Sequence, residues 1–184
     1  AFLLTTGTIT FIEAMRTNSP KVRHILNLET CISVVAAFFY SQFMERIKKS
    51  KGGIDYKQIN VTRYTDWAIT TPIMLLVLVL ALLYNRGGTL NFFDFLLILA
   101  FNYLMIGSGY MGEIGVISKK KGQILGFIGF ILLYGFIYVK YMTGQPIFDN
   151  QMIYWAFVIL WAFYGVIYEV EPEKRNIGYN ILDL

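Results

Sequence analysis

Between residues 61 and 84 the chain reads VTRYTDWAITTPIMLLVLVLALLY, which is continuously apolar from Pro72 onward and nearly so from Ala68. The segment is about as long as the roughly 20 residues needed to cross the hydrocarbon core of a bilayer. Arg63, Asp66, Thr70, Met74 and Val77 recur at spacings of three and four, which puts them on one face of a helix. A charge pair one turn apart on such a helix is expensive unless it meets protein, water or a partner charge. It therefore marks an interior, functional face. Pro72 would end a soluble helix, but in a membrane helix the adjacent hydroxyls of Thr70 and Thr71 can re-satisfy the freed carbonyl.

The same pattern continues on both sides of this segment. Helices are predicted over 1–15, 21–43, 61–84, 91–112, 123–141 and 151–170, with the first turns of a seventh after 176. RTNSP at 16–20 is a polar turn whose Pro20 suits a first helical turn. Residues 44–60, rich in Lys and Gly, form the one substantial loop. NRGGT (85–89), SKKKG (118–122), TGQPIFDN (143–150, with Asp149 and Asn150 as capping types) and the charged stretch 171–176 are turns. Gly107, Ser108, Gly109 and Gly112 allow close approach of a neighbouring helix or of a flat ligand, and Gly126, Gly129 and Gly135 favour tight packing. Trp161, Tyr164 and Tyr168 fall on one face as an aromatic wall, turned either to a ligand or to lipid. Glu29 is either a solvated residue near a helix start or an interior group on an ion route.

Composition supports a polytopic membrane protein of one domain, 1–184. Of the 184 residues 56% are hydrophobic and 15% charged, with 15 phenylalanines and 13 tyrosines suited to lipid-facing and interfacial positions; the mean hydropathy is +0.53. The one cysteine, Cys31, excludes an internal disulfide and any multi-cysteine metal site, and is expected to be a small buried hydrophobe. No metal site and no enzymatic activity are expected. The net charge of +4 comes from cations clustered in loops, where topology or lipid contact accounts for them; no motif suggests a nucleic-acid partner. No cleavable signal peptide is evident. The chain opens inside an apolar run and closes at Leu184 within a predicted helix, so further residues are expected at both ends.

RYTDWAITTP (63–72), MIGSG (105–109), WAFYGVIY (161–168) and NILDL (180–184) together resemble the microbial rhodopsins over nearly the whole chain. The resemblance implies an all-α bundle of seven transmembrane helices. It also implies all-trans retinal, bound covalently as a protonated Schiff base to a lysine expected three residues beyond Leu184. By resemblance Asp66 is the primary counterion and proton acceptor and Asp183 the second carboxylate. Arg63 holds both ionised, Thr70 hydrogen-bonds the acceptor carboxylate, and Tyr40 and Tyr64 lie near the arginine and the seventh-helix aspartate. Trp67, Thr71, Met74, Met105, Gly109, Trp161, Tyr164 and Tyr168 wall the chromophore.

Three positions depart from the outward proton-pump pattern. Val77 stands where pumps carry a carboxylic donor, Asn102 where an aspartate faces the Thr71 position, and Gly165 where a bend proline is usual. With Glu29 as candidate cytoplasmic gate or proton donor, this combination is similar to the viral subgroup from large algal viruses described as light-gated cation channels. A light-gated cation channel is the expected function, with an outward proton pump as the alternative and a photosensor third. Expected partners are the lipid bilayer, monovalent cations or protons, and further copies of the chain. The family orientation puts the N-terminus outside and the C-terminus in the cytoplasm. Loop charge argues the reverse: five cations (Arg16, Lys21, Arg23, Arg86, Lys140) fall on the cytoplasmic side so defined, against ten (Arg46, Lys48, Lys49, Lys51, Lys57, Lys119, Lys120, Lys121, Lys174, Arg175) on the other. The resemblance is given precedence.

Overall fold

The apolar runs become helices in the computed structural model, which describes residues 2–50, 53–144 and 146–183. Among these, seven α-helices follow in order: α1 (Phe2–Arg16), α2 (Pro20–Lys49), α3 (Tyr56–Arg86), α4 (Phe92–Glu113), α5 (Lys119–Ile137), α6 (Phe148–Ile167) and α7 (Pro172–Leu182). A π-helical turn, Tyr138–Met142, extends α5. The described residues contain no strand. Ala1, Lys51, Gly52, Gln145 and Leu184, parts of the predicted segments, lie outside the described residues.

Several boundaries differ from the sequence expectation, each for a local reason. The loop predicted over 44–60 is mostly helix, because Glu45 pairs with Lys49 one turn on at 2.5 Å and Arg46, Lys48 and Lys49 meet the negative end of α2. Gly53, at φ 118°, supplies the reversal before α3. The lysines of SKKKG are the first turn of α5, with Ser118 as N-cap accepting from the Lys121 amide. Pro172 opens α7, so the charged stretch is helix rather than turn. Pro20 begins α2 behind the Ser19 cap, as its position predicted. Asp149 and Asn150 lie inside α6, whose N-cap is Ile147. Asn150 is fully buried, donating from Nδ2 to the Leu82 carbonyl (3.0 Å) and accepting at Oδ1 from the Asn85 side-chain amide (2.6 Å).

Among the described residues, five stretches are long and apolar enough to span a membrane: α2, α3, α4, α5 with its π turn, and α6. The chain is an integral multi-pass membrane protein. In lipid the hydrophobic effect does not drive helices together, so contact depends on small residues and hydrogen bonds. The structure forms two compact units, one ending at Val77 and the other running from Leu78 to Asp183. In the first, a β-carbon on Gly7 of α1 would lie 3.1 Å from Ser33 Cβ on α2, and the Thr10 and Thr30 hydroxyls bond at 2.9 Å. In the second, α4 and α5 meet backbone to backbone: a β-carbon on Gly129 would sit 2.8 Å from the Met105 nitrogen, and one on Gly122 2.8 Å from the Ser108 carbonyl. Gly126 faces the Met105 carbonyl, whereas Gly135, expected to pack, meets nothing within 4 Å. Cys31 is exposed on α2 rather than buried. A thiol is apolar enough to sit on the lipid-facing surface of a spanning helix.

Candidate functional site

The polar stripe of α3 is buried: Arg63 is 0% exposed and Asp66 3%, with Tyr64, Thr70 and Thr71 also enclosed. A buried cation needs donors' partners or aromatic faces around it. Arg63 has both, donating from Nη1 to the Tyr40 hydroxyl at 2.8 Å with its guanidinium over the Tyr40 and Phe43 rings at 5.3 and 4.9 Å. Tyr64 packs edge-on against Trp67 at 5.0 Å. Thr70 donates to the Asp66 main-chain carbonyl at 2.9 Å, not to the carboxylate, and Thr71 to the Trp67 carbonyl at 2.7 Å. These bonds adjoin the Ala68 carbonyl whose usual amide partner Pro72 lacks, and α3 passes through Pro72 unbroken. Further along, Met74 is half-buried and Val77 buried.

Glu29 is half-buried on α2, one turn before the buried Ser33 and eleven residues before Tyr40, so all three share a face. Among the described residues it forms no ion pair. Arg23, its alternative partner, donates to the Thr17 carbonyl instead, and His24 is exposed.

In the second unit α6 presents its aromatic face. Trp161 stacks on Phe157 (5.1 Å, 17°) and neighbours Tyr164 at 6.3 Å. Tyr164, expected only as a wall, donates its hydroxyl to Asp183 Oδ1 at 2.6 Å and stacks on Tyr179. That is the short geometry of a hydroxyl on a carboxylate. Tyr168 is buried at the end of α6 and donates to the Gly109 carbonyl of α4 at 2.9 Å. Met105, one turn before Gly109, has its backbone pressed against Gly129. Asn102, at one departure position, is fully buried. Gly165, at another, leaves room for Phe127, whose ring a β-carbon there would meet at 2.7 Å; the Gln123 amide donates to the Gly165 carbonyl.

Sequence reasoning missed Glu113 and Arg175. They form an ion pair at 2.7 Å with both side chains buried, and Arg175 also donates to the Tyr168 carbonyl at 2.7 Å. Arg175 was counted as a loop cation because 171–176 read as a turn; the Pro at 172, three residues before it, was the available sign of a helix start.

Chemically, each unit carries its own set of groups. The first carries a buried carboxylate and guanidinium beside Trp67, Thr71 and Met74. The second carries flat rings, a glycine with its carbonyl engaged, and a carboxylate held by a phenol. Apolar walls suit a long, flat ligand, and fixed carboxylates suit a cationic group.

The chain is similar to known proteins along its whole length. The family model described as bacteriorhodopsin-like protein matches residues 1–184. The crystal structure of viral rhodopsin OLPVRII is 54% identical with a TM-score of 0.91, covering 100% of this chain and 85% of that one. A green-light absorbing proteorhodopsin from Gamma-proteobacterium EBAC31A08 is 25% identical over 203 residues, covering 100% of this chain and 76% of its own length. Bacteriorhodopsin from Halobacterium salinarum is 22% identical over 186 residues, covering 95% and 69%. With the whole chain matched, and with the solved viral rhodopsin 54% identical to it, the chain belongs to the bacteriorhodopsin-like family of rhodopsins.

Proposed function

We propose that the chain carries all-trans retinal, linked through a lysine three residues beyond Leu184, and works as a light-gated cation channel. The observation that carries this proposal is the fully buried Arg63 with Asp66 one turn on, set in a helix of membrane-spanning length. Such charges are retained in a membrane helix for ion or proton work. When bound, retinal supplies light absorption and a cationic nitrogen.

Asp66 acts as counterion and proton acceptor, with Arg63 keeping it ionised and Tyr40 orienting Arg63. Tyr164 fixes Asp183 as the second carboxylate. Trp67, Thr71, Met74, Met105, Gly109, Trp161, Tyr164 and Tyr168 exclude water and orient the ligand. Beyond Val77, α3 is dry: Leu78, Val79 and Leu82 are 0% exposed and no carboxylate follows. A pump needs a donor to return the proton from the far side, whereas a channel needs a polar path. Glu29, Ser33, Tyr40 and Arg63 supply polar groups along α2 and α3 of the first unit, with Glu29 as the cytoplasmic gate.

Whole-cell voltage clamp under illumination tests this. A photocurrent that reverses sign as the holding potential crosses the cation reversal potential is expected, and Glu29→Gln should reduce it several-fold. A current that stays outward at every potential means a proton pump, and an undiminished current in the Glu29→Gln protein removes Glu29 from the route.

A further inference from the structure

We propose that Arg175 is a positioning residue for the retinal pocket, fixing the Tyr168 ring against α4 through its forked guanidinium, a role that rests on α4 and α6 being walls of that pocket. One prong, Nη2, donates to Glu113 Oε1 at the end of α4; the other, Nη1, donates to the Tyr168 carbonyl at the end of α6; both distances are 2.7 Å. The last carbonyls of a helix have no partner within it, so this bond pins the turn from which the Tyr168 ring projects. The ring is held at its far end too. Its hydroxyl donates to the Gly109 carbonyl at 2.9 Å, and the Lys119 amine and Arg175 guanidinium lie over it at 5.3 and 5.7 Å.

The glycines nearby have the same explanation. A β-carbon on Gly112 would collide with the Tyr168 hydroxyl, and one on Gly122 would lie 3.2 Å from it. Both glycines thus keep space for a hydroxyl that must reach Gly109. The Arg175 and Glu113 side chains are only 2% and 4% exposed. Exchanging a buried ion pair for apolar groups is often neutral or stabilising, so geometry rather than stability accounts for keeping this one. Lysine, a point charge, can face Glu113 but does not reproduce the fork.

The test compares wild type with Arg175→Gln and Arg175→Lys, with and without all-trans retinal. With retinal, both variants should show a displaced absorption maximum and several-fold faster bleaching by hydroxylamine. Without retinal, both should show about tenfold faster hydrogen exchange in residues 166–170, since exchange follows local opening. Should Arg175→Gln fail to fold, Arg175→Lys, which keeps the charge facing Glu113, decides alone. Variants that melt at lower temperature but keep the wild-type absorption maximum and bleaching rate overturn the positioning role. A wild-type chain that takes up no retinal overturns the pocket assignment itself. In that event the retinal-free exchange still decides the clamp: faster exchange in the variants supports it, and unchanged exchange overturns it.

Discussion

A carboxylate inside a membrane helix needs cations or donors around it, and Asp66 and Asp183 are met differently. Asp66 shares its helix with the buried Arg63, whereas Asp183 accepts from the Tyr164 hydroxyl at 2.6 Å. On the proposal that Asp66 is the dominant counterion, Asp66→Asn should move the pigment's absorption to longer wavelength and lower the pKa of its cationic nitrogen, and Asp183→Asn should do so less. Absorption spectra over a pH titration of both variants check the order; a larger shift from Asp183→Asn would exchange the two roles. Tyr164→Phe should remove about 1.5–3 kcal/mol, the worth of a hydrogen bond to a charged group. At this scale the sequence was legible where residues lie on one helix: the spacing of Arg63, Asp66 and Thr70 already gave the buried stripe. It was not legible where a bond joins distant segments. Tyr164 read as a wall because its partner lies 19 residues away, and Glu113 with Arg175 escaped notice because 62 residues separate them.

Helix identity came from long apolar runs, while helix ends were decided by a few caps and ion pairs that a hydropathy pattern does not weigh. Ser118 captures the three lysines into α5, and Pro172 converts an expected turn into the start of α7. Glycines divide in the same way. Gly129 and Gly135 look alike in sequence, both on α5 among apolar residues, yet one meets the Met105 backbone and the other meets nothing. Gly129→Ala would place a β-carbon 2.8 Å from a main-chain nitrogen that cannot swing aside. It should cost roughly 1–3 kcal/mol, the usual penalty of overpacking. Gly135→Ala meets no neighbour and should be neutral or stabilising by up to about 1 kcal/mol, because alanine loses less backbone freedom in a helix. Thermal loss of the visible absorption band in detergent, measured side by side, distinguishes them. Equal melting temperatures would mean that α4 and α5 are not held by this contact.

For the molecule as a whole, loop charge and family resemblance point to opposite orientations across the bilayer. Loop and helix-end charge favours the N-terminus inside, and the structure weakens that count only slightly, since Arg175 is buried against Glu113. Removing it leaves the larger group of cations still the larger. The family orientation predicts the opposite arrangement. The proposed placement of Glu29 near the cytoplasmic start of α2 follows from that orientation. Charge bias is a statistical rule acting through short loops. Thiol labelling decides between the two. The background is Cys31→Ser, which removes the one native thiol so that only the introduced cysteine is read. On it, Thr89→Cys probes the turn before α4, and Val116→Cys, whose parent side chain is 66% exposed, probes the turn before α5. In intact cells a membrane-impermeant maleimide should label Val116→Cys and leave Thr89→Cys untouched until the membrane is permeabilised. The reverse pattern would place the N-terminus inside, and with it would move Glu29 to the outer face and end its assignment as a cytoplasmic gate.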